Sequence, residues 1–308
     1  MAAVLAILLP VFGIVLVGFV AARLRLLSPV GTRRVGAFVY YIVIPALLFR
    51  GTENGLPAGG GGIVAAYFAA ALALFAVGML LARRAFGADL REQAVLAINV
   101  CFGNSVQMGA PVILGAFGAP GMRSLTLIIA LHSLVLLTVA TIIIELGRGA
   151  DAGVARTLRT AAAAMLTNPI ILAVVIGFAW SHLGVTLPGA VAWLVDLAAA
   201  AAAPCALFVL GASLSGMRLG AGWREGLVIV ALKLLALPVL VWLMAKALAL
   251  SPLDTAVATV TAAMPVGMNP FIFAQRYDVY VAQSASAVVL SNLFSIVTLA
   301  LVLKLFTG

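Results

Sequence analysis

The sequence predicts an all-α polytopic membrane protein, with ten transmembrane helices arranged as two inverted five-helix repeats. Three observations predict it: the composition, ten apolar runs, and prolines that recur at one fixed offset. Of 308 residues, 65% are hydrophobic and 9% charged, against roughly 45–50% and about 25% in an average soluble domain. A water-soluble globule of this size could not cover its surface with so few charges, so soluble function classes are excluded. The net charge of +9 does not point to nucleic acid, because in a membrane protein such an excess marks cytoplasmic loops. Cys101 and Cys205 lie inside apolar runs. They read as small buried hydrophobes, not as a disulfide framework.

A span needs about 20 mostly apolar residues. Runs bounded by charges or by Gly/Pro breaks lie near 3–22, 32–50, 63–83, 93–115, 123–146, 160–180, 190–215, 223–249, 254–275 and 281–305. The longest hydrophilic connection, about 145–159, carries Arg148, Asp151, Arg156 and Arg159. No soluble domain fits between spans. Met1–Ala22 lacks a positive n-region, and Arg23 and Arg25 follow the apolar run. That order predicts a retained first helix with its N-terminus outside.

Loop charges test the topology. Thirteen of the 18 basic residues fall in the odd-numbered connections: Arg23, Arg25, Arg33, Arg34, Arg83, Arg84, Arg91, Arg148, Arg156, Arg159, Arg218, Arg224 and Arg276. Only Arg50, Arg123, Lys246 and Lys304 fall on the other face, and Lys233 lies within a span. The bias puts the odd connections in the cytoplasm and both termini outside.

The repeat is written in proline. Shifting the chain by 159 residues places Pro10 on Pro169, Pro29 on Pro188, Pro45 on Pro204 and Pro111 on Pro270. Chance gives roughly 0.25 matches at one offset, so the coincidence is a repeat signal. Gly18-Phe19 likewise maps to Gly177-Phe178, and Pro45–Phe49 to Pro204–Phe208. The halves are 1–159 and 160–308, with five spans each. An odd number inverts the second copy, a recurring design of secondary transporters.

The fourth span of each repeat is the most irregular. Span 4 carries Gly103, Asn104, Ser105, Gln107, Gly109 and Pro111, and span 9 carries Pro265, Gly267, Asn269 and Pro270. Proline removes a helical hydrogen bond and clashes with the preceding turn, and glycine weakens the helix. Both helices are therefore expected to break near the bilayer midplane. Paired breaks in two repeats mark a transporter's site. Each break exposes a half-helix N-terminus suited to a carboxylate, with Asn104, Ser105, Gln107 and Asn269 adding neutral donors and acceptors. The blander reading is that these side chains only satisfy freed backbone groups.

These residues also carry a likeness. The chain resembles bacterial members of the auxin efflux carrier family, related to the plant auxin exporters. The match runs through Leu9-Pro10 with Gly18-Phe19, Phe38–Phe49, Gly103–Pro111, and Pro265–Ala274 with Tyr277. Asn168-Pro169 and Pro204–Leu214 fit as well. The resemblance covers nearly the whole chain. No single motif is specific, but their order and spacing are.

The resemblance implies the fold of bile-acid symporters and sodium/proton antiporters. Residues 1–50 and 160–215 would form a scaffold that often dimerises. Residues 63–146 and 223–305 would form an elevator-type transport domain in which the broken helices cross beside the substrate. In plant members the asparagine matching Asn104 contacts the substrate carboxylate. Substrates differ across the family: auxins in plants, malate or malonate in bacteria. The implied location is a bacterial inner membrane.

Ionisable residues inside a membrane are functional candidates. Lys233, five residues before Pro238, would attract an anion or stand in for a coupling cation such as H⁺ or Na⁺, or else snorkel to the interface. Asp196 in span 7 would suit proton coupling if buried. His132 in span 5 is a third coupling candidate, or a neutral hydrogen-bonded core residue. Glu145 closes span 5 and reads as solvated, and Arg276 after span 9 reads as a topology residue.

The expected function is a secondary transporter or uniporter of small organic anions working by alternating access. The alternatives are a sodium- or proton-coupled carrier of a different substrate, an intramembrane enzyme, or a channel. No cofactor, metal site or nucleic-acid partner is expected, only the anion, membrane lipid and a second copy. There is no P-loop and no His-Glu-x-x-His motif, and both are patterns that their chemistries require.

Overall fold

The computed structural model describes residues 2–53, 55, 60–148, 167–217 and 222–307. Helices are their only extended elements. They are α1 (Ala2–Arg23), α2 (Pro29–Thr52), α3 (Gly60–Phe86), α4 (Leu90–Cys101), α5 (Ser105–Gly147), α6 (Pro169–Leu183), α7 (Gly189–Leu214), α8 (Trp223–Ala247), α9 (Pro252–Ala262), α10 (Met268–Tyr277) and α11 (Val281–Thr307).

Helix starts follow local chemistry. Ser28 before Pro29, Asn168 before Pro169 and Ser251 before Pro252 each cap a helix with a side-chain oxygen. Proline suits the first helical position because its missing N–H has no intrahelical partner there. Asp89 and Glu92 close a capping box over α4, satisfying two orphan donors.

Among the described residues, seven helical stretches are long and apolar enough to cross a membrane, and α6 is a shorter apolar helix. The sequence reading expects ten spans. The expected fourth and ninth are each cut, leaving pieces of 12 residues in α4, 11 in α9 and 10 in α10. The second piece of the fourth runs into α5, which bends at Gly118 (φ 63°, ψ −158°). Only glycine adopts that backbone without strain. The sixth run, expected at 160–180, is a described helix from Pro169. Residues 160–166 and the loop arginines Arg156 and Arg159 lie outside the described residues.

Prolines act differently from the expectation. Three helices carry a π turn, at Val39–Val43, Ser105–Gly109 and Leu232–Ala236. Each ends two residues before a proline: Pro45, Pro111 and Pro238. A proline ring collides with the carbonyl four residues back, and widening the turn relieves that collision without ending the helix. Pro111 therefore lies inside the helix that follows the break and does not cause the break.

Packing divides the helices into two groups. In one, α1 lies along α7, and α2 lies along α6 and α7. In the other, α3 packs on α4 and α8, α9 packs on α5 and α8, and α11 packs on α8 and α10. α1 touches α5 and α11 across the divide.

The first group is held by close backbone approach at small residues, a common device between membrane helices. A Cβ on Gly211 would stand 1.8 Å from the Val15 carbonyl oxygen, and one on Gly18 would stand 2.1 Å from that of Phe208. A Cβ on Gly177 would stand 2.9 Å from the Phe49 carbonyl oxygen. Gly18 touches Phe208 and Gly177 touches Phe49, and the two glycines, like the two phenylalanines, are 159 residues apart.

The second group holds most of the core. Ala94–Cys101 of α4 and Thr255–Ala262 of α9 are buried at every position, as befits helices enclosed on all sides. Several of their polar side chains bond within the helix, Asn99 to the Val95 carbonyl, Thr259 to that of Thr255 and Thr261 to that of Val257, and Asn99 also donates to Ser284 Oγ on α11. Outward faces are apolar, with Leu16 and Val17 on α1, Leu194 and Leu197 on α7, and Val297 and Leu301 on α11.

Candidate functional site at the helix breaks

The two interruptions meet. Gly103 and Val266 form an isolated antiparallel bridge. The Asn104 N–H donates to the Pro265 carbonyl at 2.8 Å, and the Gly267 N–H donates to the Phe102 carbonyl at 3.0 Å. The Val266 N–H donates to Ser291 Oγ at 3.0 Å. Backbone opened inside a membrane protein must find such partners, and here each break supplies them to the other.

Two helix C-termini also converge here, those of α4 and α9. Each carries a partial negative charge of about half a unit. Lys233 lies between them, fully buried, in the π turn of α8. Its Nζ donates to the Ala262 carbonyl, and a Cβ on Gly103 would lie 3.2 Å from that Nζ. Lys233 therefore does not snorkel. A buried ammonium is costly unless compensated, and the two helix ends compensate it.

Beside the bridged breaks lies a cavity of about 520 Å³. Of the residues expected to bind substrate, Gly103, Asn104, Ser105, Gln107, Gly267 and Asn269 line it. Pro111, Pro265 and Pro270 do not line it and shape the chain instead. The Pro265 carbonyl accepts from Asn104, Pro111 follows the π turn, and Pro270 is third in α10.

Asn104 is 5% exposed. Its Oδ1 accepts from the Gln107 N–H at 3.2 Å, capping the start of α5. Its Nδ2 has no partner among the described residues. α10 has Gly267 at its N-cap with no side-chain cap, and Gly267, Met268 and Asn269 at this end line the cavity.

His132 lines the cavity, its ring stacked on Phe102 at 4.3 Å and its Nε2 3.3 Å from the Tyr67 hydroxyl. Asp196 lies elsewhere. Its side chain is 63% exposed and pairs at 2.7 Å with Arg50, which also pairs with Glu53 and donates to the Ala192 carbonyl. Glu145 pairs with Arg148 at 3.3 Å.

Sequence reasoning missed Arg276 and Asn168, which also line the cavity. A signal for Arg276 exists. Asn269, Ile272, Phe273 and Arg276 recur at three- and four-residue steps, which is one face of α10, and all four line the cavity. Among the described lining residues Arg276 is the only charged side chain, and there is no carboxylate.

Among the described residues, seven long apolar helices mark a multi-pass membrane protein, with a cavity at its two paired helix breaks. The comparisons agree. The family described as "Membrane transport protein" matches residues 3–303, and the chain belongs to it, the auxin efflux carrier family of the sequence resemblance. A Rhizobium meliloti (strain 1021) protein named "Putative malonate transporter" is 28% identical over 308 residues, covering 97% of this chain and 94% of its own. The chain is a membrane transporter and not an enzyme.

Proposed function

We propose that this protein is a secondary transporter or uniporter of small organic carboxylates, held at the crossing of the two broken helices. The observation that carries the reading is the cavity itself. It offers the Asn104 amide, the uncapped start of α10 and one guanidinium, with no carboxylate among its described lining residues. Half-helix N-termini favour anions, and a buried amide donor without a protein partner is suited to a ligand oxygen. The relative named for malonate supports the same substrate class.

The reading includes ten spans in two inverted repeats, of which α1, α2, α6 and α7 form a scaffold that pairs with a second copy. The other helices form the moving domain. The swapped Gly18–Phe208 and Gly177–Phe49 contacts support the repeat, because a two-fold axis turns one pair into the other. Gly36, Asn168 and Arg276, next to connections 1, 5 and 9, line the cavity, so it opens toward the arginine-rich face. With that face cytoplasmic, the state is inward-facing and both termini lie outside. Lys233 is the candidate for charge compensation, and His132 remains the candidate for proton coupling beside its reading as a neutral hydrogen-bonded core residue. Exposed Asp196 stands outside the site.

The test is uptake into liposomes of radiolabelled malonate, malate and indole-3-acetate under imposed pH and voltage gradients. Saturable uptake of at least one is expected. No flux with any carboxylate would refute the reading.

A further inference from the structure

The cavity has two ends of different chemistry. At the breaks its donors are neutral. Eight residues beyond the start of α10 stands Arg276. A helix rises 1.5 Å per residue, so the backbone of Arg276 is about 10 Å along the axis from Asn269. Helical side chains lean toward the N-terminus, which turns Arg276 back toward the breaks.

Arg276 is an exposed residue, and its guanidinium is not taken up by the end of α10. A basic residue in the last turn commonly serves the helix C-terminus, but here Arg91 does so, donating to the Tyr277 carbonyl at 3.3 Å. Arg148 lies over the Tyr277 ring at 5.1 Å. Arg276 makes no hydrogen bond or ion pair among the described residues. Its one recorded contact is the adjacent Tyr277 ring, 6.0 Å from the guanidinium carbon.

We infer that Arg276 is the specificity residue that selects dicarboxylates over monocarboxylates. This rests on the carboxylate reading above. One carboxylate sits at Asn104 and the start of α10. The second, a short linker away, is taken by Arg276, whose planar fork matches a carboxylate with two parallel hydrogen bonds. A monocarboxylate fills only the first position and leaves Arg276 unused.

The experiment compares the wild type, Arg276→Gln and Arg276→Lys in liposomes, with malonate and indole-3-acetate as the two probes. The wild type should favour malonate. Arg276→Gln should raise the malonate KM by about tenfold to a hundredfold, the range of charge-assisted hydrogen bonding, and raise that of indole-3-acetate far less. Arg276→Lys should recover part of the loss, because it keeps the charge but not the fork. Equal loss for both probes, or no loss for either, overturns the inference while the carboxylate reading stands. A wild type that moves indole-3-acetate but not malonate does the same. A wild type that moves neither of these nor malate overturns both.

Discussion

Asn104 does two jobs with two atoms, and substitutions can separate them. Its Oδ1 caps α5 through the Gln107 N–H, while its Nδ2 has no partner among the described residues. A helix cap is worth about 1 kcal/mol. A hydrogen bond to a charged group is worth about 1.5–3 kcal/mol, which is about 10- to 150-fold in affinity. Asn104→Ala removes both. Asn104→Ser keeps a capping oxygen and loses the amide. Asn104→Asp keeps the cap and sets a carboxylate against the substrate's own. Thermal stability should therefore rank wild type, Ser and Asp together, with Ala lower by about 1 kcal/mol. Malonate affinity should rank wild type first, Ser and Ala about 10- to 150-fold weaker, and Asp weakest of all. Titration calorimetry of the purified protein at about pH 8, where a carboxyl is ionised, reads the affinities, and a fluorescence melt reads the stabilities. If Asn104→Asp binds malonate as tightly as wild type, no carboxylate sits at Nδ2 and the reasoning fails.

The other predictions follow from packing and charge. Gly211→Ala forces a Cβ to within 1.8 Å of a backbone oxygen; overpacking costs about 1–3 kcal/mol, and the melting temperature should fall. Gly13→Ala, where a Cβ meets nothing within 4 Å, should instead stabilise by up to about 1 kcal/mol through helix propensity. Equal melting temperatures would refute the close α1–α7 approach. Lys233→Met should abolish uptake in the liposome assay yet leave the melt near wild type, because replacing a buried charge by an apolar group of similar size is often neutral; normal flux would remove Lys233 from the mechanism. Asp196→Asn should cost under about 1 kcal/mol, as exposed ion pairs do, and leave the pH profile of uptake in place; a moved profile would make Asp196 a coupling group.

Much of this architecture is legible in the chain because the bilayer imposes it. Arg83 and Arg84 end the third apolar run, and α3 ends at Phe86. The tenth run, expected at 281–305, is α11, Val281–Thr307. Both breaks fall within the Gly- and Pro-rich segments that mark them. Their register does not follow from the proline repeat. Pro111 and Pro270 are 159 residues apart, but the bridge joins Gly103 to Val266, which are 163 apart. The π turn at Ser105–Gly109 separates the first break from its proline, and the proline two residues beyond it is the sequence mark that it shares with the other two π turns. Arg276 reads as a topology residue, a role that its place at the cavity, on the face shared with Asn269, Ile272 and Phe273, leaves intact. Lys233 is conspicuous in an apolar run, but its acceptor is a backbone carbonyl, and every residue has one.

That carbonyl has a bearing on how the protein is made. Lys233 precedes Ala262 by 29 residues. Chains grow at about 5–20 residues per second, so the lysine is synthesised roughly 1.5–6 s before its acceptor. A lysine at the middle of a newly inserted helix costs about 2.5–3.5 kcal/mol, and each Leu, Ile or Val returns about 0.3–0.6. α8 holds twelve of these, enough to offset the lysine without help. The apolar excess of α8 thus answers to the order of synthesis: it lets the helix enter the bilayer before the rest of the site exists.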